Sequence, residues 1–143
     1  MSEVIKILLV EDNEADVDLM LETMEASKIL CDIDVMRDGA QAIDYLNKQG
    51  EYADAQKPDL IFLDLNLPKL SGQEVLCKIK NSVDLKHIPV VVLTSSTAEE
   101  DILASYNLHA SAYVNKPVDL QGFDKIVHAI DNFWLAVVKY PNQ

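Results

Sequence analysis

Four polar stretches follow apolar runs in this chain, and their side chains are the ones equipped for chemistry. VIKILLV gives way at Val10 to Glu11–Asp12, and DLIFL gives way to Asp64, followed by Leu65–Asn66–Leu67–Pro68. IPVVVL gives way to Thr94–Ser95–Ser96, and SAYVN to Lys116–Pro117. If these runs are parallel strands of one sheet, three carboxylates, a hydroxyl and an ammonium share one crevice at one sheet edge. Carboxylates held that close repel, by about 4 kcal/mol per pair at roughly 4 Å and an effective dielectric of about 20. A raised pKa relieves this, and so does a hard cation with oxygen ligands. Mg²⁺ suits the set, because it takes one or two carboxylates and keeps positions for water and a phosphate oxygen. Glu11, Asp12, Asp64 and a backbone carbonyl just after Asp64 supply such a partial cage. A carboxylate beside the ion can act as nucleophile and form an acyl phosphate. Lys116 suits the neutralisation of the phosphoryl oxygens, and Thr94 can hydrogen-bond the group once it arrives. No histidine stands at a strand end to serve as base for water.

Each residue alone has a plainer explanation. Asp12 could cap the first helix, Asp64 could be a turn acid before Pro68, Thr94 a helix-entry residue and Lys116 a solvated lysine. Their joint placement is what carries weight, and it depends on the elements between them. Val4–Val10 reads as a strand and Asn13–Lys28 as a helix with Val17, Met20, Leu21 and Met24 on one stripe. Asp32–Met36 is a second strand, and Asp38–Gln49 a second helix with Gly50 near its stop. Gly50–Lys57 is loop-like, Asp59–Leu63 the third strand and Gly72–Ser82 the third helix. Ile88–Leu93, wholly apolar and β-branched, fits a central strand buried on both faces. Ala98–Leu108 reads as helix, Ala112–Asn115 as a short fifth strand and Asp119–Tyr140 as a long last helix.

Strict alternation of strand and helix implies an α/β fold with a parallel sheet covered on both faces. Five strands fit a flavodoxin-like (βα)5 doubly wound sheet of order 2-1-3-4-5. Its ligands bind where strand order reverses, between the first and third strands, which deliver Asp12 and Asp64. The 143 residues make one domain, 49% apolar and therefore globular. A net charge of −12 argues against nucleic acid as a partner. Cys31 and Cys77 form no CxxC pair and read as reduced thiols. MSEVIK is not a signal peptide, and no apolar run approaches the roughly 20 residues of a membrane span. The expected location is the cytoplasm.

At these residues the chain resembles a two-component response-regulator receiver domain over essentially its whole length. The resemblance implies that Asp64 is the phosphorylated aspartate, that Glu11 and Asp12 are the acidic pair for Mg²⁺, and that Asn66 gives its backbone carbonyl to the metal. It also implies that Thr94 is the switch hydroxyl, Lys116 the phosphoryl-binding lysine and Tyr113 the aromatic switch, with a cis Lys116–Pro117 bond. GEY at 50–52, LDLNLPKLSG at 63–72, IPVVVLTSS at 88–96, SYNLH at 105–109 and FWLAVVKYP at 133–141 resemble the small regulators that partner cyanobacterial and bacterial phytochromes. The implied function is a phosphorylation switch rather than an enzyme. A sensor histidine kinase, here a phytochrome, presents a phosphohistidine to Asp64, Thr94 moves toward the new group, and Tyr113 fills the vacated space.

No output domain is expected after the receiver, so signalling would run through protein contact. Phe123, Ile126, Val127 and Ile130 make one stripe of the last helix, while Phe133, Trp134, Leu135, Val137, Val138 and Tyr140 surround its extension, about 131–143, with apolar surface. One helix cannot bury all of that on its own domain, so Phe133, Trp134, Leu135 and Val138 are expected at a homodimer interface. Three rival readings remain. An aspartate-nucleophile phosphatase wants a second Asp two residues after the nucleophile, where this chain has Asn66. A pseudo-receiver that binds without phosphorylation would not need the full residue set. A flavin carrier wants a hydroxyl- and glycine-rich loop where Glu11 and Asp12 stand.

Overall fold

The computed structural model describes residues 4–26, 30–94, 98, 103, 104, 107, 108, 110–116, 118 and 120–122. Five strands, β1 (Ile5–Val10), β2 (Cys31–Met36), β3 (Leu60–Asp64), β4 (Val90–Thr94) and β5 (Ala112–Asn115), form one sheet of order β2-β1-β3-β4-β5. Every neighbouring pair is parallel. Three helices are described in full, α1 (Glu14–Ala26), α2 (Gly39–Leu46) and α3 (Gly72–Lys80). The doubly wound order expected from the alternation is therefore the one observed.

The two faces of the sheet are set by strand parity, since successive side chains point to opposite sides. Leu8, Val10, Ile61, Leu63, Val90 and Val92 join one core with Ala42, Tyr45 and Leu46 of α2 and Val75, Leu76 and Ile79 of α3. Ile7, Leu9, Leu60, Phe62, Val91 and Leu93 join the other with Val17, Met20 and Met24 of α1 and with Val118. β3 and β4 are buried on both sides, as the unbroken IPVVVL run implies. Each such Val, Leu or Ile contributes on the order of 1.5–3 kcal/mol by leaving water. The sheet edge carrying the polar residues thus rests on a rigid base.

Element ends differ from the sequence expectation in instructive places. β4 starts at Val90 rather than Ile88, because Pro89 has no N–H for the ladder and offers only its carbonyl, which accepts Ile61 N–H at 3.0 Å. β3 starts one residue late, after Asp59, whose carboxylate accepts Lys6 N–H at 2.9 Å. At their far ends both strands run one residue longer, since Asp64 pairs with Leu93 and Thr94 with Asn115. Asp64 and Thr94 are thus the last residues of strands, not the first of loops. Asn13, not Asp12, caps α1, its side chain accepting Asp16 N–H at 3.0 Å.

α2 is capped by Asp38, which accepts Gln41 N–H, and ends at Leu46 rather than near Gly50. Lys48 adopts φ 56°, a left-handed conformation that no right-handed helix continues through. The segment Gly50–Tyr52, expected as plain loop, makes one 3-10 turn. α3 opens on a reciprocal capping box between Ser71 and Glu74 and ends at Lys80, two residues before the expected Ser82. Of the helix expected over 98–108, Ala98, Leu103 and Ala104 are helical, and of the last helix Leu120–Gly122. The end expected for α1 at Lys28 and the last helix from Phe123 onward lie outside the described residues.

Candidate functional site

Glu11 continues the line of β1 for one more residue, its N–H donating to the Met36 carbonyl at 3.0 Å. That bond holds the side chain under the sheet edge, where Glu11 is 1% exposed and Asp64, at the end of β3, is 2% exposed. Asp12 stands beside them in solvent. One carboxylate oxygen from each of Glu11, Asp12 and Asp64 lies within 4.8 Å of the other two. The acids expected to converge from the amino-terminal third and the middle of the chain do so.

Lys116 follows β5 and brings the ammonium. Its Nζ lies 3.1 Å from Glu11 Oε1, 3.2 Å from Asp64 Oδ2 and 3.1 Å from Asp16 Oδ2. Each carboxylate has a second partner or outlet. Glu11 Oε2 accepts Asn13 N–H at 3.2 Å, and Asp64 Oδ1 accepts Asn66 N–H at 3.2 Å. The electrostatics remain unbalanced all the same. Burial, followed by the neighbouring Asp64 carboxylate, raises the Glu11 pKa to about 7, against the smaller pull of Asn13 N–H and Lys116. Burial would lower the Lys116 pKa, but Glu11, Asp64 and Asp16 outweigh it and hold the ammonium above the ordinary lysine range. One cation among this many acids does not neutralise them, and a hard cation with oxygen ligands fits the donor set.

The loop from β3 to α3 is fixed by two glycines. A Cβ on Gly72 would lie 2.3 Å from the Asp64 carbonyl oxygen and 2.5 Å from Leu65 Cα, so α3 starts pressed against the backbone of Asp64 itself. Gly72 N–H donates to the Leu65 carbonyl at 3.0 Å and closes that approach. A Cβ on Gly39 would lie 1.9 Å from the Leu70 carbonyl oxygen. Between them Lys69 takes φ 68°, and Leu70 N–H donates back to the Pro68 carbonyl at 2.8 Å in a tight γ-turn. Any side chain at either glycine would displace the loop that carries Asn66.

The remaining expected residues are placed in part. Thr94 ends β4 in register with Asn115, one residue beyond the pair Asp64–Leu93, and its backbone thereby reaches the same edge. Tyr113 lies on β5 opposite Val92, half-buried against the core on the α2–α3 face, with its hydroxyl accepting Ala110 N–H at 3.3 Å. The Lys116–Pro117 bond and the interface residues Phe133, Trp134, Leu135 and Val138 lie outside the described residues. Sequence reasoning did not single out Asp16, which lies in the first turn of α1, after the Asn13 cap. It also missed Gly39.

Comparison with known proteins agrees with this geometry. The family model for the response regulator receiver domain matches residues 7–130. Response regulator Rcp1 of Synechocystis sp. is 49% identical over 135 residues, covering 94% of this chain and 92% of that protein. The Mn²⁺-bound form of Rcp1 superposes with a TM-score of 0.76 at 48% identity, covering 95% of this chain and 98% of that one. The phosphorylated cyanobacterial phytochrome response regulator RcpA gives 0.79 at 47% identity, covering 97% and 99%. The bacteriophytochrome response regulator RtBRR gives 0.84 at 43% identity, covering 98% of this chain and 86% of that one. No helix among the described residues is long and apolar enough to cross a membrane.

Proposed function

The chain belongs to the response regulator receiver domain family, and we propose that it accepts a phosphoryl group on Asp64 from a sensor histidine kinase of the phytochrome class. The observation that carries the reading is the cluster of Glu11, Asp12 and Asp64 oxygens within 4.8 Å, with the Lys116 ammonium 3.2 Å from Asp64. Asp64 is buried, held at one oxygen by Asn66 N–H and at the other by Lys116, so its carboxylate is oriented before any donor arrives.

In the transfer an Asp64 oxygen attacks phosphorus, the new O–P bond forms, and the P–N bond of the donor phosphohistidine breaks with its electron pair going to the imidazole. Lys116 turns from Asp64 to the incoming phosphoryl oxygens. Glu11, Asp12, Asp64 and the Asn66 carbonyl would hold the divalent ion, which we take to be Mg²⁺. When bound it supplies charge neutralisation at the phosphoryl oxygens. The Mn²⁺ form of Rcp1 supports a divalent ion of this class. Thr94 then hydrogen-bonds the phosphoryl group and Tyr113 turns inward, so that the surface around β5 changes. Output by protein contact, a single receiver over 1–143, a homodimer through Phe133, Trp134, Leu135 and Val138, and a cytoplasmic location belong to the same proposal. On this reading the domain is a signalling switch and not a turnover enzyme.

Acetyl phosphate with Mg²⁺ tests the acceptor directly. Labelling should appear in the wild type and vanish in Asp64→Asn, and label persisting at another residue would refute the assignment. Phosphotransfer profiling against histidine kinases, phytochromes included, tests the donor, and a preference for a non-phytochrome kinase would remove that part.

A further inference from the structure

Asp16 is the charged group at this edge that neither the acceptor nor the metal-ligand role uses. It sits in the first turn of α1, where a carboxylate is already favoured by the helix dipole and needs no partner. It has one nevertheless. An ammonium carries three N–H donors, and the three carboxylate oxygens around Lys116 Nζ, from Glu11, Asp64 and Asp16, lie at 3.1, 3.2 and 3.1 Å. Two donors are hydrogen-bonded to Glu11 and Asp64, and Asp16 holds the ammonium from a third side as an ion pair. The lysine is 18% exposed and Asp16 30%, so the pair is neither fully solvated nor sealed. Leu19, Met20 and Val118 line the cleft beside it and limit screening by water. α1 grips the same segment a second time, since Thr23 Oγ1 donates to the Val118 carbonyl at 3.4 Å.

We propose that Asp16 is a positioning residue for Lys116, sharing its ammonium so that it is not committed to the Glu11–Asp64 pair and those two carboxylates stay open to a divalent cation. The inference rests on the metal reading of the site given above. Without Asp16, the ammonium turns wholly to Glu11 and Asp64, and an incoming ion must displace it.

A double-mutant cycle read by calorimetric titration of the metal-free full chain with Mn²⁺ decides the matter. Asp16→Asn should weaken Mn²⁺ binding by roughly fivefold, the size of a partly exposed ion pair. In a Lys116→Met background the same substitution should change binding by less than about twofold, because the group through which it acts is gone. Asp16→Glu should restore binding to near the wild-type value. Asp16→Ser serves as a second neutral variant, and thermal melts of every variant verify folding. Equal weakening in both backgrounds would overturn the proposal, showing that the Asp16 charge acts on the ion directly. Unchanged binding in Asp16→Asn would overturn it as well, leaving Asp16 as a helix-end residue. A wild type that takes no Mn²⁺ at millimolar concentration would bring down the metal reading itself, whereas normal wild-type binding with an additive cycle sinks the positioning role alone.

Discussion

Two lysines in this sheet are each surrounded by acids, and they meet opposite fates. Lys6, near the start of β1, places Nζ 3.1 Å from Asp32 and 3.0 Å from Asp34 on β2. Those carboxylates are 59% and 38% exposed, and Tyr45 of α2 donates its hydroxyl to Asp34 at 2.6 Å. Burial alone would raise the Asp34 pKa, but Tyr45 and Lys6 outweigh it and leave the acid below its ordinary value. Lys116, at the opposite end of the strands, faces the buried Glu11 and Asp64 as well as Asp16, 30% exposed, and there Glu11 is pushed up to about 7. The ingredients are alike. What differs is water: both acids beside Lys6 reach solvent, whereas Glu11 and Asp64 beside Lys116 do not. On the proposed function, an unrelieved surplus is what suits one cluster to chemistry and leaves the other a cross-strand brace.

The sharpest separation is in labelling. Asp64→Asn should lose phosphorylation by acetyl phosphate by at least about a hundredfold, since it removes the proposed nucleophile. Asp34→Asn should leave the rate within about twofold. Comparable losses in both variants would erase the distinction.

Metal-linked stability comes next. At a thousandfold excess over its dissociation constant an ion that binds only the native state adds about 4 kcal/mol. For a chain of this size that is roughly a 10 °C rise in melting temperature. Millimolar Mg²⁺ should produce a rise of this kind in the wild type. Asp64→Asn and Asp12→Ala should melt higher than wild type without metal and gain less with it. Asp34→Asn should show the full rise. A melting point that ignores Mg²⁺ would mean that the surplus at Glu11, Asp12 and Asp64 is not relieved by an ion.

Much of this contrast could be read in the sequence, and the parts that could not share a cause. Asp64 and Glu11 announce themselves because each interrupts an apolar run, and Lys116 because it follows the short strand run SAYVN, signals contained in a few neighbouring residues. Asp16 does not, because the residue that gives it a role lies 100 positions further on, at Lys116. Gly39 likewise acquires its reason from the Leu70 carbonyl, a tertiary approach that no local pattern encodes. α2 stops at Leu46, two residues before Lys48 enters the left-handed region, a conformation for which lysine carries no preference, so the sequence points to the nearby Gly50 instead. The ends of β3 and β4 were off by one or two residues because a ladder's length is set by the register of its partners. Local chemistry was legible, whereas distance-dependent pairings were not.

Acidity offers a smaller effect with opposite signs at the two clusters. The folded pKa of Glu11, about 7, stands above its ordinary value of 4.5, so the metal-free native state holds that proton more tightly than the unfolded chain. Its cost is fully present above pH 7 and disappears as pH falls toward 4.5. Relative to Glu11→Gln, the metal-free wild type should therefore gain up to about 3 kcal/mol in urea unfolding between pH 8 and pH 5. Saturating Mg²⁺ should abolish that gain, because binding then requires the ionised carboxylate. A flat difference across this range would show that Glu11 is not strained.

The smallest effect belongs to the brace. Tyr45→Phe keeps the ring, and with it the edge contact to Tyr52 at 5.6 Å, but removes the hydroxyl that Asp34 accepts. Asp34 can turn to water for a replacement, so the cost at pH 7 should be about 1 kcal/mol or less. The sign with pH is the reverse of that at Glu11. A depressed folded pKa gives stability that is present above the unfolded value near 4 and is lost as pH falls through the folded one. The gap between wild type and Tyr45→Phe should therefore narrow below about pH 4, while labelling by acetyl phosphate stays unchanged. A gap that widens in acid would mean that the hydroxyl acts by packing rather than by supporting a carboxylate, and the Lys6 cluster would then no longer be the balanced counterpart of the one at Lys116.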